Sequence, residues 1–444
     1  MNKLLVKISG DENFKLKTWL LDNVVTLIFW AFIIVGLIVS KGVTINYFLT
    51  ELSNRFYRNA FLILSLIIPV IAGLGMNFGI VVGAIAGQLA VIFVQYLQLG
   101  DITHMSGLAS FLLTAVVALP IAVLFGWLTG TLFNKTKGQE MIASLIVGYF
   151  GNGVYQFIVL FVIGVIIPVA ADHVMILPGG VGIRMSVDMG LQTYALDNIL
   201  QIKFAPFMLI ILSLFLIYTV WVQFFKKTAP GEKKPTIYVF IAKTVLIVGL
   251  IALFAYHQAT KGSLTMVRKV PVVLVLLIAL LAVFINWLMK TKLGQDFRSC
   301  GQNQYIAESN GINVDRTRII ATILSTVFAA WGMLIYLQNM GTLTTYSAHN
   351  NIGFFAVAAL LVGGASVDKA KISQAITGCL LFHSMFILSP EIGKSVFGQA
   401  ALGEYFRTFM VYGVIGLSLG LYVWRANKAK KLKIEDVKRP GEEE

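Results

Sequence analysis

Residues Lys290–Arg318 read KTKLGQDFRSCGQNQYIAESNGINVDRTR, a polar island between two apolar runs. The run before it, 271–289, is PVVLVLLIALLAVFINWLM; the run after it, 319–339, is IIATILSTVFAAWGMLIYLQN. Each is about the 20 residues a helix needs to cross a hydrocarbon core roughly 30 Å thick. Neither alternates polar with apolar residues, as a strand of a membrane barrel would. A chain that breaks such runs with a charged, glycine-bounded segment is crossing a membrane and surfacing between crossings.

Composition agrees. Of 444 residues, 57% are hydrophobic and 13% charged, about half the charged share of a soluble domain. The expected fold class is all-α, a polytopic membrane protein. Apolar runs predict a retained first helix over Trp19–Ser40, then spans near 60–75, 77–97, 108–133, 140–167, 205–225, 237–257, 271–289, 319–339, 350–366, 374–389 and 404–424. That makes about twelve transmembrane helices, in a membrane domain over 19–424. Tails of 1–18 and 425–444 flank it, and 290–318 forms its main internal loop.

Threaded from an internal N-terminus, this map places 24 of the 35 Lys and Arg residues inside and 10 outside, with Lys243 in a span. Positive-inside sorting predicts that bias, so both termini are expected in the cytoplasm of a cell (plasma or inner) membrane. The net charge of +14 then reads as basic flanks against the lipid bilayer, not as a nucleic-acid surface. On the same map Cys300 and Cys379 cannot meet, so no disulfide is expected. Five scattered histidines without an acidic cluster offer no metal site. The external segments 41–58 and 168–204 are long, the second with the glycine-rich Pro178–Gly182.

Inside the spans the clearest pattern is Gly75, Gly79, Gly83 and Gly87, one glycine every fourth residue. On a helix these share a face that lets another backbone approach closely. Asn77 and Gln88 accompany them, and an amide in hydrocarbon is costly unless it is paired or lines a wet cavity. Gly73, Gly75 and Gly79 around Asn77 also favour a break in the helix. Gly75, Asn77, Gly79, Gly83, Gly87 and Gln88 are therefore candidates for a translocation pathway. Asn152 with Gln156, and Gln338, Asn339, Gln374 and His383, are further membrane-embedded polar residues. Phe354 and Phe355 could stack on a ring but more commonly pack.

No G-x-x-x-x-G-K-[ST] is present, nor paired intramembrane carboxylates, nor H-E-x-x-H. Neither nucleotide hydrolysis nor a catalytic centre is expected, so no enzyme and no cofactor. An ion- or proton-coupled secondary transporter would want the mid-membrane acids this chain largely lacks. Energy must then arrive from a partner, and the island is where one could grip. Tyr305, Ile306 and Ser309 can share a face of a short surface helix, with Glu308 among them.

The stretch Gly301-Gln302-Asn303 through Ala307 to Ser309-Asn310-Gly311-Ile312-Asn313-Val314 resembles the G-x-N-x-x-A-x-x-S-G-I-x-V loop of ABC-importer permeases of the ribose type, which carry simple sugars and nucleosides. Four more stretches resemble that family in order: Thr44-Ile45-Asn46, Gly75-Met76-Asn77-Phe78, Gln139–Leu145 (QEMIASL) and Ala356–Ser366 (AVAALLVGGAS). The resemblance implies a permease subunit working by alternating access. Its implied partners are an ABC ATPase subunit, an extracytoplasmic substrate-binding protein and a second permease subunit, either a copy or a paralogue. It also implies that Asn303, Ala307, Gly311, Ile312 and Val314 contact the ATPase. Two departures stand out: Asn77 replaces an acid common in the family, and the family's ten spans would here gain a hairpin near 205–257.

Overall fold

Residues 23–40, 42–98, 104–167, 173, 175–177, 182–225 and 237–437 are described by a computed structural model, and they are mostly helical. In chain order the helices are α1 Val24–Val39, α2 Ile45–Ser65, α3 Ile67–Ile71, α4 Ile80–Tyr96, α5 Gly107–Lys135 and α6 Glu140–Phe157, which runs on as a π-helix over Ile158–Ile166. Then follow α7 Phe204–Phe224, α8 Ile237–Ala259, α9 Val272–Leu288, α10 Lys292–Gln302, α11 Gln304–Ser309, α12 Val314–Met340, α13 Ile352–Val362, α14 Ile372–Phe397 and α15 Ala400–Val437. Two short antiparallel pairs complete the described chain. Strand β1 Ser186–Asp188 pairs with β4 Thr342–Thr344, and β2 Gln201–Ile202 with β3 Val270–Pro271.

Among the described residues six helices are long and apolar enough to cross a membrane: α5, α6 with its π-helical extension, α7, α8, α12 and α14. A seventh would be α9 with α10, bent by 76° between them. Helices α1, α4 and α13 are apolar but shorter. Helix occupies part or all of each of the twelve expected spans. Two boundaries differ from the expectation. The segment 41–58, expected as an external loop, is largely the first turns of α2, whose N-cap Thr44 accepts from the Tyr47 N–H at 3.3 Å. The basic stretch from Arg425, expected as a tail, continues α15 to Val437. The Lys226–Lys234 turn and most of Pro178–Gly182 lie outside the described residues.

Helix α12 is the central post. Its 27 residues span roughly 40 Å at about 1.5 Å per residue. Small residues let its neighbours close in: Gly126 and Gly130 of α5 lie against the backbone of Ile323 and Ile319, and Gly332 of α12 itself lies against Leu62 of α2. By contrast α7 and α8 bury few side chains and pack on each other, Phe204 meeting Phe254 edge-on at 6.0 Å. A peripheral pair of this kind is what an inserted hairpin would form.

The ends of α12 gather different loops. At its N-terminus Lys137 pairs with Asp315 at 2.8 Å, and the Asn134 Nδ2 donates to the Asp315 carbonyl at 2.8 Å. At its C-terminus Gln338 Nε2 donates to Asp197 at 2.7 Å, Asn339 donates to the other carboxylate oxygen, and β4 pairs with β1. The Arg268 N–H also reaches Thr50 Oγ1 at 3.3 Å. Burial raises the pKa of Asp197, while the two amide donors, Arg268 and Arg58 pull the other way.

Candidate functional site

The island folds as two helices, not one. The sequence suggests a short surface helix around Tyr305–Ser309 and leaves Lys290–Ser299 as part of the internal loop. Most of that segment is α10, started by Thr291, whose hydroxyl accepts from the Gly294 N–H at 3.3 Å. Phe297 and Cys300 are its buried side, a pattern hidden by its charged residues. Asn303 ends α10 and caps α11, its Oδ1 accepting from the Ile306 N–H at 3.2 Å.

Beneath α11, Ala307, Cys300 and Val314 form a small buried cluster with Ile312 against it. The Ile312 N–H donates to the Ala307 carbonyl at 3.0 Å. Gly311 turns the chain at φ +79°, where a side chain would be strained. On the outer side Tyr305 is 82% and Ile306 59% exposed. Glu308 stands 3.9 Å from Lys137, both well exposed. The five residues carried by resemblance thus form the anchor: Asn303, Ala307, Gly311, Ile312 and Val314 set the shape. Tyr305 and Ile306 are its exposed side.

Behind the anchor, Arg318 is fully buried and paired with Glu140, with Gln304 Oε1 and the Phe133 carbonyl each 3.4 Å away. In the sequence Arg318 is the last residue of the internal loop 290–318. The pair ties the base of α12 to α6 and α11, and breaking one partner would strand a buried charge.

The island also touches the glycine series. Residues 72–79 are not helical: Gly73 and Gly75 have φ of +78° and +68°, and α4 begins at Ile80. A Cβ on Gly73 would lie 2.7 Å from the Gly301 Cα, so two backbones meet where only glycines fit. Farther along, Asn77 Oδ1 accepts from the Gly79 N–H at 2.9 Å, and the Phe78 N–H donates to Ser144 Oγ at 3.1 Å. The expected break is therefore present, and Asn77 serves as its internal brace.

The four-residue ladder is divided by that break. Gly83 and Gly87 alone lie within α4, and they face Thr326–Met333 of α12. Gly75 faces Met141 and Val367, and Gly79 faces Phe133 and Ser144.

Beside the break lies a cavity of about 270 Å³, whose wall includes Phe78, Val81, Asn152, His349, Phe354 and Tyr412. Phe354 stacks obliquely on Phe78 at 5.4 Å and edge-on to Tyr412 at 5.6 Å. Of the predicted pathway residues, Gln88 reaches the wall indirectly. His349 Nδ1 lies 2.6 Å from Gln88 Oε1, and His349 Nε2 lies 2.7 Å from Asn152 Oδ1. Asn152 Oδ1 also accepts from Gln156 Nε2 at 3.2 Å, whereas buried Gln88 Nε2 has no partner. A neutral imidazole has one donor and one acceptor, so rotating the Gln88 amide puts Nε2 on His349 Nδ1 and satisfies the ring.

His349 was missed in the sequence because it lies outside any apolar run. The signal was its setting, Ser347-Ala348-His349-Asn350-Asn351, immediately before an apolar helix. Asn351 there adopts φ 64°, rare for a residue with a side chain.

With this geometry in hand, comparison with known proteins is informative. The family described as the branched-chain amino acid transport system, permease component, matches residues 174–419. That is more than half of the chain, which belongs to this permease family. Several curated relatives are sugar and nucleoside permeases of ABC transporters. The guanosine ABC transporter permease protein of Bacillus subtilis is 35% identical over 89 residues, covering 20% of this chain and 28% of the relative. The nucleoside ABC transporter permease protein of Lactococcus lactis is 32% identical over 124 residues, 28% and 38% of the two chains. The galactose/methyl galactoside import permease protein of Salmonella typhimurium is 34% identical over 112 residues, 23% and 32% of the two chains. The matches thus span about a third of each relative's length. These relatives are permease proteins and not enzymes. No solved structure matches the chain.

Proposed function

We propose that this chain is the permease subunit of an ABC importer that moves a simple sugar or nucleoside across the plasma membrane by alternating access. A separate ATPase subunit supplies energy, a substrate-binding protein delivers the solute from outside, and a second permease subunit, a copy or paralogue, completes the pore. In this reading the membrane domain has twelve spans with both termini cytoplasmic. The end of α12 that meets 134–140 and 292–313 is the cytoplasmic one, and the end that meets 186–197 and β4 is external. The grouping of these loops at opposite ends agrees with the sides the charge count assigns.

The observation that carries the mechanism is the contact between Gly301 and Gly73. The ATPase grips Tyr305, Ile306 and Glu308 on α11. Because α11 sits on the buried Ala307–Val314 anchor, a push on it moves α10. The glycine contact passes that motion to the stretch 73–79 and so to Phe78 in the cavity wall. Gly83 and Gly87 hold α4 to α12 while this happens, and Gln88 steadies His349 at the solute's edge.

Uptake of labelled ribose, galactose and guanosine into vesicles tests the reading. The permease is reconstituted with an ABC ATPase and a substrate-binding protein supplied as separate chains. Transport that needs ATP and both partners is the expected result. Uptake by the permease alone, driven by an ion gradient, would make it a secondary transporter instead.

A further inference from the structure

A second cavity, about 120 Å³ in volume, lies between α2, α12, α13 and α14. Arg55 and Arg58 line it, with Asn59, Asn350, His383 and Phe386, and no carboxylate is in its wall. His383 is 5% exposed and its Nδ1 has no hydrogen-bond partner. Arg55 Nε is buried and equally without one; Glu51 Oε2 stands 3.9 Å away, an ion-pair distance. Nearby acids are otherwise engaged, Glu404 by Arg407 and Asp197 by Gln338 and Asn339. Arg55 and Arg407 also lie over the Phe386 ring, at 5.9 and 4.4 Å from its centroid.

Arg58 already donates from Nε to the Asn54 carbonyl at 3.3 Å and from a terminal nitrogen to Met340 Sδ, so the remaining guanidinium donors of Arg55 and Arg58 and an unpaired imidazole nitrogen surround a small space with no carboxylate in its wall. Guanidinium pairs with carboxylate or phosphoryl oxygens through parallel N–H donors. Leaving such donors in a partly dehydrated cavity is costly until an anion fills it. We propose that this cavity binds the anionic group of a small solute, a carboxylate or phosphoryl group, held by Arg55 and Arg58 with His383 as a third contact. Asn350 lines both this cavity and the one beside Phe78, so an anion held here sits next to the pathway as a second ligand, distinct from the uncharged sugar or nucleoside. That role in transport rests on the permease reading above; the binding itself does not.

The test is thermal unfolding of the purified full-length permease in detergent. Sodium phosphate and, separately, sodium acetate are titrated against sodium chloride at constant ionic strength. A saturable rise in Tm with phosphate or acetate is expected, and Arg58→Gln should weaken the apparent affinity about tenfold. Arg55→Lys keeps the charge and loses the planar fork, so it should weaken binding severalfold even if Arg58→Gln does not fold. Arg298→Gln, exposed on α10, should change nothing.

No saturable response in the wild type would overturn the site, as would undiminished affinity in Arg55→Lys or Arg58→Gln. The same donors would also attract a lipid phosphate. Stabilisation by phosphatidylglycerol micelles, with none by phosphate or acetate, would overturn the solute assignment in favour of lipid. If anion binding holds while ATP-dependent uptake fails, the site stands and the permease reading does not.

Discussion

Gly75 and Gly79 share a spacing with Gly83 and Gly87 and differ in everything around them. A Cβ on Gly83 would meet Ala329 Cβ and the Thr326 carbonyl, each at 2.6 Å, and one on Gly87 the Ala330 carbonyl at 2.7 Å. These neighbours are the body of another helix and cannot step aside. A Cβ on Gly75 would instead meet side-chain atoms of Met141 and Val367 at 3.2 and 3.3 Å. The outer pair fastens α4 to its post, whereas Gly75 faces flexible side chains that can yield. Sequence spacing alone cannot separate these roles, because what matters is whether the facing atom is backbone or a flexible side chain.

Substitutions at Gly83, His349, Gly75 and Glu308 would break or sharpen this contrast. Gly83→Leu should do the most damage, destabilising by about 3 kcal/mol or more through overpacking, read as loss of monodisperse, folded protein on size-exclusion chromatography. A well-folded variant would mean that α4 is not clamped to α12. His349→Ala comes next, leaving Gln88 and Asn152 unsatisfied at a cost of about 2 kcal/mol in thermal unfolding. It should also raise the half-saturating solute concentration for uptake. His349→Asn, which can still bridge one amide, should recover part of the loss.

Gly75→Ala should cost only about 1 kcal/mol, the price of a left-handed residue with a side chain, with Met141 yielding. If it proves as harmful as Gly83→Leu, the two halves of the ladder are alike after all. The smallest effect is expected for Glu308→Lys: stability within about 1 kcal/mol, since the ion pair with Lys137 is exposed. Its ATP-dependent uptake should nevertheless fall, in contrast to a charge reversal at Arg298, which is likewise exposed, on α10. Equal uptake in both variants would remove Glu308 from the docking surface.

Much of the architecture was legible because membrane helices announce themselves by long apolar runs. The break near Asn77 was legible too, since glycines flank an amide there. Less visible were features made by contact across the fold. Arg318 looks like a surface flank until Glu140, distant in sequence, neutralises it. His349 carries no periodic signal, and its importance comes from Gln88 and Asn152 on two other helices. Helix α10 was hidden because only Gly294, Phe297 and Cys300 of its residues are buried. Spacing of three along a charged segment is weak evidence when few turns repeat it.

The contact between Gly73 and Gly301 is where the two regions of the molecule meet. The most direct test is the number of solute molecules imported per ATP hydrolysed, in vesicles holding the permease, its ATPase and its binding protein. Gly73→Ala should force the two backbones apart at a cost in stability, and in the fraction that still elutes as monodisperse protein ATP hydrolysis should run while import per ATP falls about tenfold, because the push on α11 no longer reaches Phe78 in register. Unchanged import per ATP in that variant would contradict the account and send the search for the coupling path elsewhere, first to the Arg318–Glu140 pair.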